Sequence, residues 1–207
     1  MSLAEAEKIA AADDELLLNL EEPQPLKDAT GYGKIWLELG SGGGENLVHQ
    51  AENNKDVFII GCEPYFNGAE SAIKQLKAKG LANGRMYAGD GRFLIERIPE
   101  NSIDKVFILY PDPWPKKRHN NRRIINTDTL KMLHRIMKPG AELFAATDSM
   151  DYAEWILLRV FENGKFKWLA ETAADFMNPP PGWISTRYEQ KALAKNLKPA
   201  YLRFIKR

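Results

Sequence analysis

A proline-rich segment in the middle of the chain combines groups that could seat a nucleic-acid base. It reads Tyr110-Pro111-Asp112-Pro113-Trp114-Pro115-Lys116-Lys117-Arg118-His119. Each proline fixes φ and lacks an amide donor, so neither a helix nor a strand ladder continues through it. A carboxylate at such a corner can accept hydrogen bonds from a base edge, and an indole offers a stacking face. The alternative is a stiff surface turn that binds nothing.

Within this segment Asp112 is the candidate acceptor for a base edge. Trp114 has two possible roles, a stacking platform for the base or a packing wedge that shapes the loop, and the flanking prolines slightly favour the wedge. The cations that follow are predicted to hold phosphates, which gives affinity without reading sequence; they are Lys116, Lys117, Arg118, Arg122 and Arg123.

The element that must position this segment is the apolar run Val106-Phe107-Ile108-Leu109, which has the composition of a buried parallel strand. In open α/β sheets, ligands bind at the carboxyl ends of the strands. Asp148 follows another predicted strand, at 142–146, and is expected at the same edge. Without a ligand it would simply be an acid at a helix amino terminus, where the helix dipole favours it.

A second candidate site begins with Glu38 and the turn Gly40-Ser41-Gly42-Gly43-Gly44, between a predicted strand at 34–39 and a predicted helix at 45–53. Glycines allow close approach of a ligand to the backbone. The dinucleotide fingerprint would need a third glycine where Glu45 stands, and an acid there would repel a pyrophosphate. S-adenosylmethionine carries no phosphate and has a cationic sulfonium, so carboxylates near the turn suit it better.

Two further acids end the next predicted strands. Glu63 follows the strand at 57–62, at about the distance from the glycines where an acid commonly binds the ribose hydroxyls. Asp90 follows a short strand at 85–88 and could accept from the adenine amino group. Taken singly, Glu63 could be an exposed strand-end acid and Asp90 part of a turn. Because three consecutive parallel strands end at one edge, the three acids together are the more specific signal.

The alternation of strands and helices predicts an α/β, Rossmann-like fold with a mainly parallel sheet and helices on both faces. The remaining predicted helices are 69–79, 93–97, 123–137 and 152–162, and the remaining predicted strands are 105–109 and 201–206. The last of these alternates as a half-exposed edge strand would.

The composition is that of one soluble domain. The chain has 207 residues, 44% hydrophobic and 28% charged, with a net charge of +1. Apolar runs fall short of the roughly 20 residues that a bilayer crossing needs, and the start lacks a secretory pattern. The single Cys62 provides neither a disulfide nor a cysteine-based metal site. We expect a cytoplasmic protein without a metal, with an acidic extension at 1–30 and one domain at 31–207.

Four stretches of this sequence closely resemble bacterial tRNA (guanine-N(7)-)-methyltransferases, over about residues 34–207. They are Leu37-Glu38-Leu39-Gly40-Ser41-Gly42-Gly43-Gly44-Glu45, Gly61-Cys62-Glu63-Pro64, the proline segment Tyr110 to His119, and Thr186-Arg187-Tyr188-Glu189. The resemblance implies a seven-stranded class I methyltransferase sheet, S-adenosylmethionine as the methyl donor, and a guanine in the tRNA variable loop as the acceptor. The acidic start differs from the basic amino-terminal arm typical of the family.

The resemblance also implies roles for individual residues. Asp112 matches the active-site aspartate of the family. The implied cofactor-binding positions, with their neighbours, are Glu38, Gly40, Ser41, Gly42, Glu63, Pro64, Asp90, Gly91 and Tyr110. The implied substrate-binding positions are Lys116, Arg118, Asp148, Thr186, Arg187, Tyr188 and Glu189. Without the resemblance, residues 186–189 would be an ordinary loop.

Two other functions remain open at this level, because a fold by itself does not specify a function. One is a methyltransferase that acts on another RNA position, on DNA or on a small molecule. The other is a non-catalytic RNA-binding domain on a nucleotide-binding fold. The same motifs fit a monomer or a homodimer.

Overall fold

The computed structural model describes residues 15–18 and 26–207. Most of the predicted acidic extension, residues 1–14 and 19–25, lies outside the described residues. The chain divides into two compact units, residues 1–103 and 104–207.

The strands form a seven-stranded sheet of order β3-β2-β1-β4-β5-β7-β6, which confirms the predicted α/β class. They are β1 (Lys34–Leu39), β2 (Val57–Cys62), β3 (Gly84–Tyr87), β4 (Ile103–Leu109), β5 (Met137–Thr147), β6 (Phe166–Trp168) and β7 (Ala200–Lys206). The helices are α1 (Glu45–Asn53), α2 (Phe66–Ala78), α3 (Gly91–Arg97), α4 (Thr127–Ile136), α5 (Met150–Asn163), α6 (Ala174–Met177) and α7 (Arg187–Leu193). Short 3₁₀ helices span Lys27–Ala29 and Lys117–Arg122.

In the first unit, β2 pairs in parallel with β1 on one side and with β3 on the other. All six residues of β2 are buried, as expected for a strand that is covered on both faces. Helices α1 and α2 contribute Leu47, Ala72 and Leu76 to the core. Residues 16–18 run along β3, where the amides of Leu18 and Met86 donate to carbonyls across the pair at 2.7 and 2.8 Å.

In the second unit, β7 runs antiparallel to both β5 and β6. The prediction that the strand at 201–206 lies at the sheet edge is therefore wrong. The sequence misleads because the polar residues of this strand have partners: Arg203 pairs with Glu142 of β5 at 2.5 Å, and the buried Lys206 donates to the carbonyl of Met137 at 2.6 Å. The strand at this end of the sheet is β6, which the sequence did not reveal.

The helix predicted at 123–137 is shorter at its start. Its first residue is Thr127, because the side chain of Asn126 accepts from the amides of Asp128 and Thr129 at 3.0 and 2.9 Å and so caps the helix. The helix also ends at Ile136, and Met137 already belongs to β5. Arg123 therefore lies in the connection before the helix.

Candidate active site

The glycine turn joins β1 to α1 and is held by β2. The amides of Gly40 and Ser41 both donate to the carbonyl of Cys62 at 2.9 Å. Gly40, Gly42 and Gly44 have φ values of 81°, 54° and 90°, a region that side chains rarely adopt. A Cβ on Gly44 would lie 2.5 Å from the Cβ of Ala72 in α2. The turn therefore depends on glycine both for its backbone angles and for helix packing.

Glu63 joins the glycine turn to the start of α2. Its buried carboxylate accepts from the amide of Gly42 at 2.8 Å and from the amide of Tyr65 at 3.0 Å. Each oxygen of an ionised carboxylate has two lone pairs, so both retain an acceptor position. Beside it, a Cβ on Gly68 would lie 2.5 Å from the carbonyl oxygen of Gly42. The predicted contact of Glu63 with ribose stays a prediction.

Glu38 is a buried acid with an unused oxygen. The residue is 2% exposed, and its Oε2 has no hydrogen-bond partner among the described residues. Burial raises the pKa of Glu38 to about 8, and the nearby Asn46 side chain partly opposes this shift. The Nδ2 of Asn46 makes no well-formed hydrogen bond in the described part of the chain, although it lies close enough to the Glu38 carboxyl to lower its pKa. A buried acceptor and a buried donor thus lie side by side beneath the glycine turn, and such groups normally have partners.

The carboxylate of Asp90 accepts hydrogen bonds from two groups of Arg92. It caps α3 by accepting from the amide of Arg92 at 3.0 Å, and it also pairs with the exposed guanidinium of Arg92 at 2.5 Å. The hydrogen bonds from Arg92 lower the pKa of Asp90. Next to it, a Cβ on Gly91 would meet the sulfur of Cys62 at 2.6 Å. The adenine contact of Asp90 stays a prediction, and adenine would share this carboxylate with Arg92.

In the second unit, the proline segment leaves β4 through an unusual backbone turn. Tyr110 and Trp114 have φ values of 51° and 42°, although neither is glycine. The amide of Tyr110 donates to the carbonyl of Ala146 in β5 at 2.7 Å. Asp112, between the two, is exposed. Such strained backbone persists only where the surroundings impose it, and it is frequent at functional sites.

The indole of Trp114 is packed on two sides. The His119 ring meets it edge-on at 5.7 Å between centroids, and the guanidinium of Arg122 lies 4.8 Å from its centroid. Trp114 is half-buried. These contacts agree with the wedge role that the sequence slightly favoured.

The five cations predicted to hold phosphates differ in exposure. Lys116, Lys117, Arg118 and Arg122 are exposed, as phosphate ligands need to be. Arg123 is only 2% exposed, so the prediction that it holds phosphate is wrong. Its guanidinium is directed to protein partners instead, which no local sequence signal indicates.

Thr186 caps the start of α7, where its hydroxyl accepts from the amide of Glu189 at 3.3 Å. The carboxylate of Glu189 is buried and accepts from Nε1 of Trp183 at 2.7 Å and from the hydroxyl of Tyr201. Burial and then the charge of Glu189 raise the pKa of Tyr110. Tyr110, predicted as a cofactor ligand, therefore has its hydroxyl near Glu189. By contrast, Arg187 and Tyr188 are exposed.

Relatives with curated names match most of this chain. A protein from Jannaschia sp. (strain CCS1) is 51% identical over 185 residues, which cover 89% of this chain and 78% of that protein. One from Caulobacter vibrioides is 42% identical, with coverage of 88% and 80%. Both are named tRNA (guanine-N(7)-)-methyltransferase. The chain belongs to this family. A family model described as "Putative methyltransferase" also matches residues 33–201.

Solved structures confirm the class I methyltransferase fold. The 16S rRNA methyltransferase KamB superposes with a TM-score of 0.60 at 16% identity, covering 100% of this chain and 94% of that one. The aminoglycoside resistance methyltransferase NpmB1 gives 0.56 at 20% identity, covering 87% and 90%. At such identities the likeness establishes the fold alone.

Sequence analysis did not single out three side chains that contact predicted site residues: Asn46, Trp183 and Tyr201. Asn46 could have been found, because an amide on the buried face of an amphipathic helix next to a glycine turn is unusual. Trp183 and Tyr201 carry no such signal, since aromatic residues in a loop and in a strand are ordinary.

Asp148, a predicted substrate residue, is half-buried and precedes Ser149, whose hydroxyl caps α5.

Among the residues that the structure describes there is neither a membrane-spanning helix nor a metal-ion cluster. Within 15–18 and 26–207, no helix is long and apolar enough to span a membrane. Over the same residues, no cluster of three or more histidines, cysteines or acids is arranged to hold a metal ion.

Proposed function

We propose that this chain methylates nitrogen-7 of a guanine in the variable loop of tRNA, in the cytoplasm, with S-adenosylmethionine as the methyl donor. The observation that carries the proposal is the exposed Asp112 carboxylate, at the end of a strand between two residues of strained backbone, in a member of this family. The names of the relatives support the acceptor.

The residues of the first unit fit S-adenosylmethionine. The Oε2 of Glu38 is an acceptor for the ammonium of its amino-acid end, and the Nδ2 of Asn46, which faces Glu38 without a well-formed hydrogen bond, is a donor for the carboxylate of that end. Glu63 retains acceptor positions for ribose hydroxyls. When bound, S-adenosylmethionine supplies an electrophilic methyl group. The residues of the first unit that would hold it are Glu38, Gly40, Ser41, Gly42, Asn46, Glu63, Pro64, Asp90 and Gly91.

Asp112 acts on the acceptor base by orientation. Nitrogen-7 of guanine already carries an in-plane lone pair, so no side chain has to remove a proton from it. The carboxylate of Asp112 accepts hydrogen bonds from the amino edge of guanine and offsets the positive charge that develops on the base. Correct placement of a reacting atom is worth several kcal/mol, about the size of effect that this role requires.

The other proposed substrate residues act either through charge or through the shape of the site. Lys116 and Arg118 are exposed and hold phosphates. Asp148 lies directly after β5, and we assign it, with the exposed Arg187 and Tyr188, to contacts with the guanosine and its neighbours. Thr186 and Glu189 are buried and hydrogen-bonded within the protein, so we assign them to shaping this part of the site.

The affinity for S-adenosylmethionine is expected to depend on pH through Glu38. Because burial raises the pKa of Glu38 to about 8, the carboxyl is protonated at neutral pH, and binding an ammonium requires its ionisation. The affinity should therefore rise by up to tenfold from about pH 6.5 to about pH 7.5. Isothermal titration calorimetry at several pH values measures this.

Glu38→Gln should bind S-adenosylmethionine about tenfold more weakly, and this extra dependence on pH should disappear. Glu70→Gln is the control, because Glu70 is an exposed acid of the same unit that pairs with Lys74. In the ligand-free protein, the raised pKa of Glu38 means that the free energy of unfolding falls as pH rises from about 4.5 to about 8. If the affinity for S-adenosylmethionine depended equally on pH in wild type and in Glu38→Gln, the proposed role of Glu38 would be contradicted.

The proposed function is tested by methylating an unmodified tRNA transcript with labelled donor and then cleaving the strand at 7-methylguanine by mild reduction and amine treatment. We expect label in the RNA and scission at a guanine of the variable loop. A transcript with adenine at that position is the control and should show neither. Label without scission would indicate a methyltransferase for another position, and no binding of S-adenosylmethionine would indicate an RNA-binding protein without this activity.

A further inference from the structure

Arg123 is a buried cation among exposed ones. Its side chain is 3% exposed, and its Nε donates to the carbonyl oxygen of Pro113 at 2.8 Å. Its Nη2 donates to the carboxylate of Asp151, in the first turn of α5. The guanidinium thus joins the proline segment to α5, through Asp151, which lies 28 residues after Arg123 in the chain.

The guanidinium lies against two aromatic rings of α5. It is 5.1 Å from the centroid of Tyr152 and 4.9 Å from that of Trp155. Both rings are fixed in turn, because the hydroxyl of Tyr152 accepts from the amide of Ile125 at 3.2 Å and Nε1 of Trp155 donates to the carbonyl of the same residue at 2.7 Å. A planar cation between such partners has little freedom to move.

The peptide that Arg123 holds joins Pro113 to Trp114, one residue after Asp112. The carbonyl of Pro113 lies between Asp112 and Trp114, whose φ of 42° is unfavourable for a tryptophan. A hydrogen bond from an ionised donor is roughly twice as strong as one between neutral groups. This contact therefore stabilises a backbone conformation that the sequence alone would not keep.

We propose that Arg123 is a positioning residue, which fixes the direction of the Asp112 carboxylate by holding the carbonyl of Pro113 against α5. The proposal rests on the proposed function of Asp112. Lysine at this position would keep the charge but offers a single donor atom in place of the flat fork, so it cannot serve the carbonyl, the carboxylate and both rings together.

The test compares Arg123→Lys with Arg159→Lys. Arg159 is a matched control, because its guanidinium lies 4.7 Å from the same Trp155 ring and pairs with Glu162. Among the described residues, no hydrogen bond or ion pair joins Arg159 to the proline segment. In Arg123→Lys we expect kcat for tRNA methylation to fall about thirtyfold, with KM for tRNA and affinity for S-adenosylmethionine within about threefold of wild type. Arg159→Lys should stay close to wild type in all three.

Two further readouts separate positioning from other roles. If Arg123 held a phosphate, its loss would reduce the slope of log affinity for tRNA against log salt by about one, as we expect for Arg118→Gln. Because lysine keeps the charge, the slope is measured in Arg123→Gln, where we expect no change. Limited trypsin digestion after residues 116–118 should be about tenfold faster in Arg123→Lys than in Arg159→Lys, because the segment has lost its anchor.

Asp151→Ala provides a second variant in case Arg123→Lys does not fold, which parallel loss of S-adenosylmethionine binding would reveal. Asp151 is 72% exposed, so its removal leaves the core intact, and we expect a smaller increase in trypsin cleavage, about threefold. Unchanged cleavage in both Arg123→Lys and Asp151→Ala, a kcat near that of wild type in Arg123→Lys, or a changed salt slope in Arg123→Gln would overturn the proposal. The digestion does not depend on methylation, so a failure of the proposed function would leave that result in place.

Discussion

Replacing Asp112 with asparagine is expected to slow the methylation of tRNA by about 10²- to 10³-fold, the size of loss seen when one preorganised polar group is removed from a reacting centre. Asparagine keeps the shape of the side chain but loses the negative charge, and its amide nitrogen is a donor where guanine presents donors. Single-turnover rates with saturating tRNA measure the effect. Affinity for S-adenosylmethionine, measured by calorimetry, should change by less than about twofold, because Asp112 is assigned to the acceptor.

Asp128→Asn is the control for this experiment. It makes the same chemical change at an exposed carboxylate in the first turn of α4, where Asp128 pairs weakly with Lys131 at 3.7 Å. Its methylation rate should equal that of wild type within about twofold. If Asp112→Asn retained a rate near that of wild type, the assignment of Asp112 would be wrong, whatever the activity of the family.

Replacing Gly44 with alanine is expected to lower the free energy of unfolding by about 2 to 5 kcal/mol. Two costs add here. The φ of 90° is unfavourable for alanine, and the new Cβ would lie 2.5 Å from the Cβ and 2.8 Å from the Cα of Ala72. The second atom belongs to the backbone of α2, so relief requires the two helices to move apart. Urea denaturation followed by circular dichroism measures the change.

Gly31→Ala separates the two costs. Gly31 has a similar φ of 96°, but an added Cβ would meet nothing within 4 Å. We therefore expect it to lose only about 1 kcal/mol, from backbone strain alone. Equal losses in the two variants would show that contact with Ala72 contributes nothing. Because the glycine turn also belongs to the proposed donor site, Gly44→Ala should in addition weaken S-adenosylmethionine binding.

Much of the first unit could be predicted from the sequence because its signals are local. The apolar run before the glycine turn and the periodic pattern after it gave β1 and α1 with the observed bounds. The start of α4 was misplaced because Asn126 caps it, and the pattern of apolar residues before that cap resembles a helix. Likewise, the alternation in β7 suggested an edge strand because the partners of Arg203 and Lys206 lie more than sixty residues away.

By itself, the sequence determined the class of fold, the family and the identity of the candidate chemical groups, since these depend on residue types and short spacings. Only the tertiary structure decided which of those groups are available. Among six consecutive positions it left Arg118 and Arg122 in water and buried Arg123 against α5, and it surrounded Glu189 with Trp183 and Tyr201. Burial and hydrogen-bond partners depend on residues that are distant in the chain, and no local pattern encodes them.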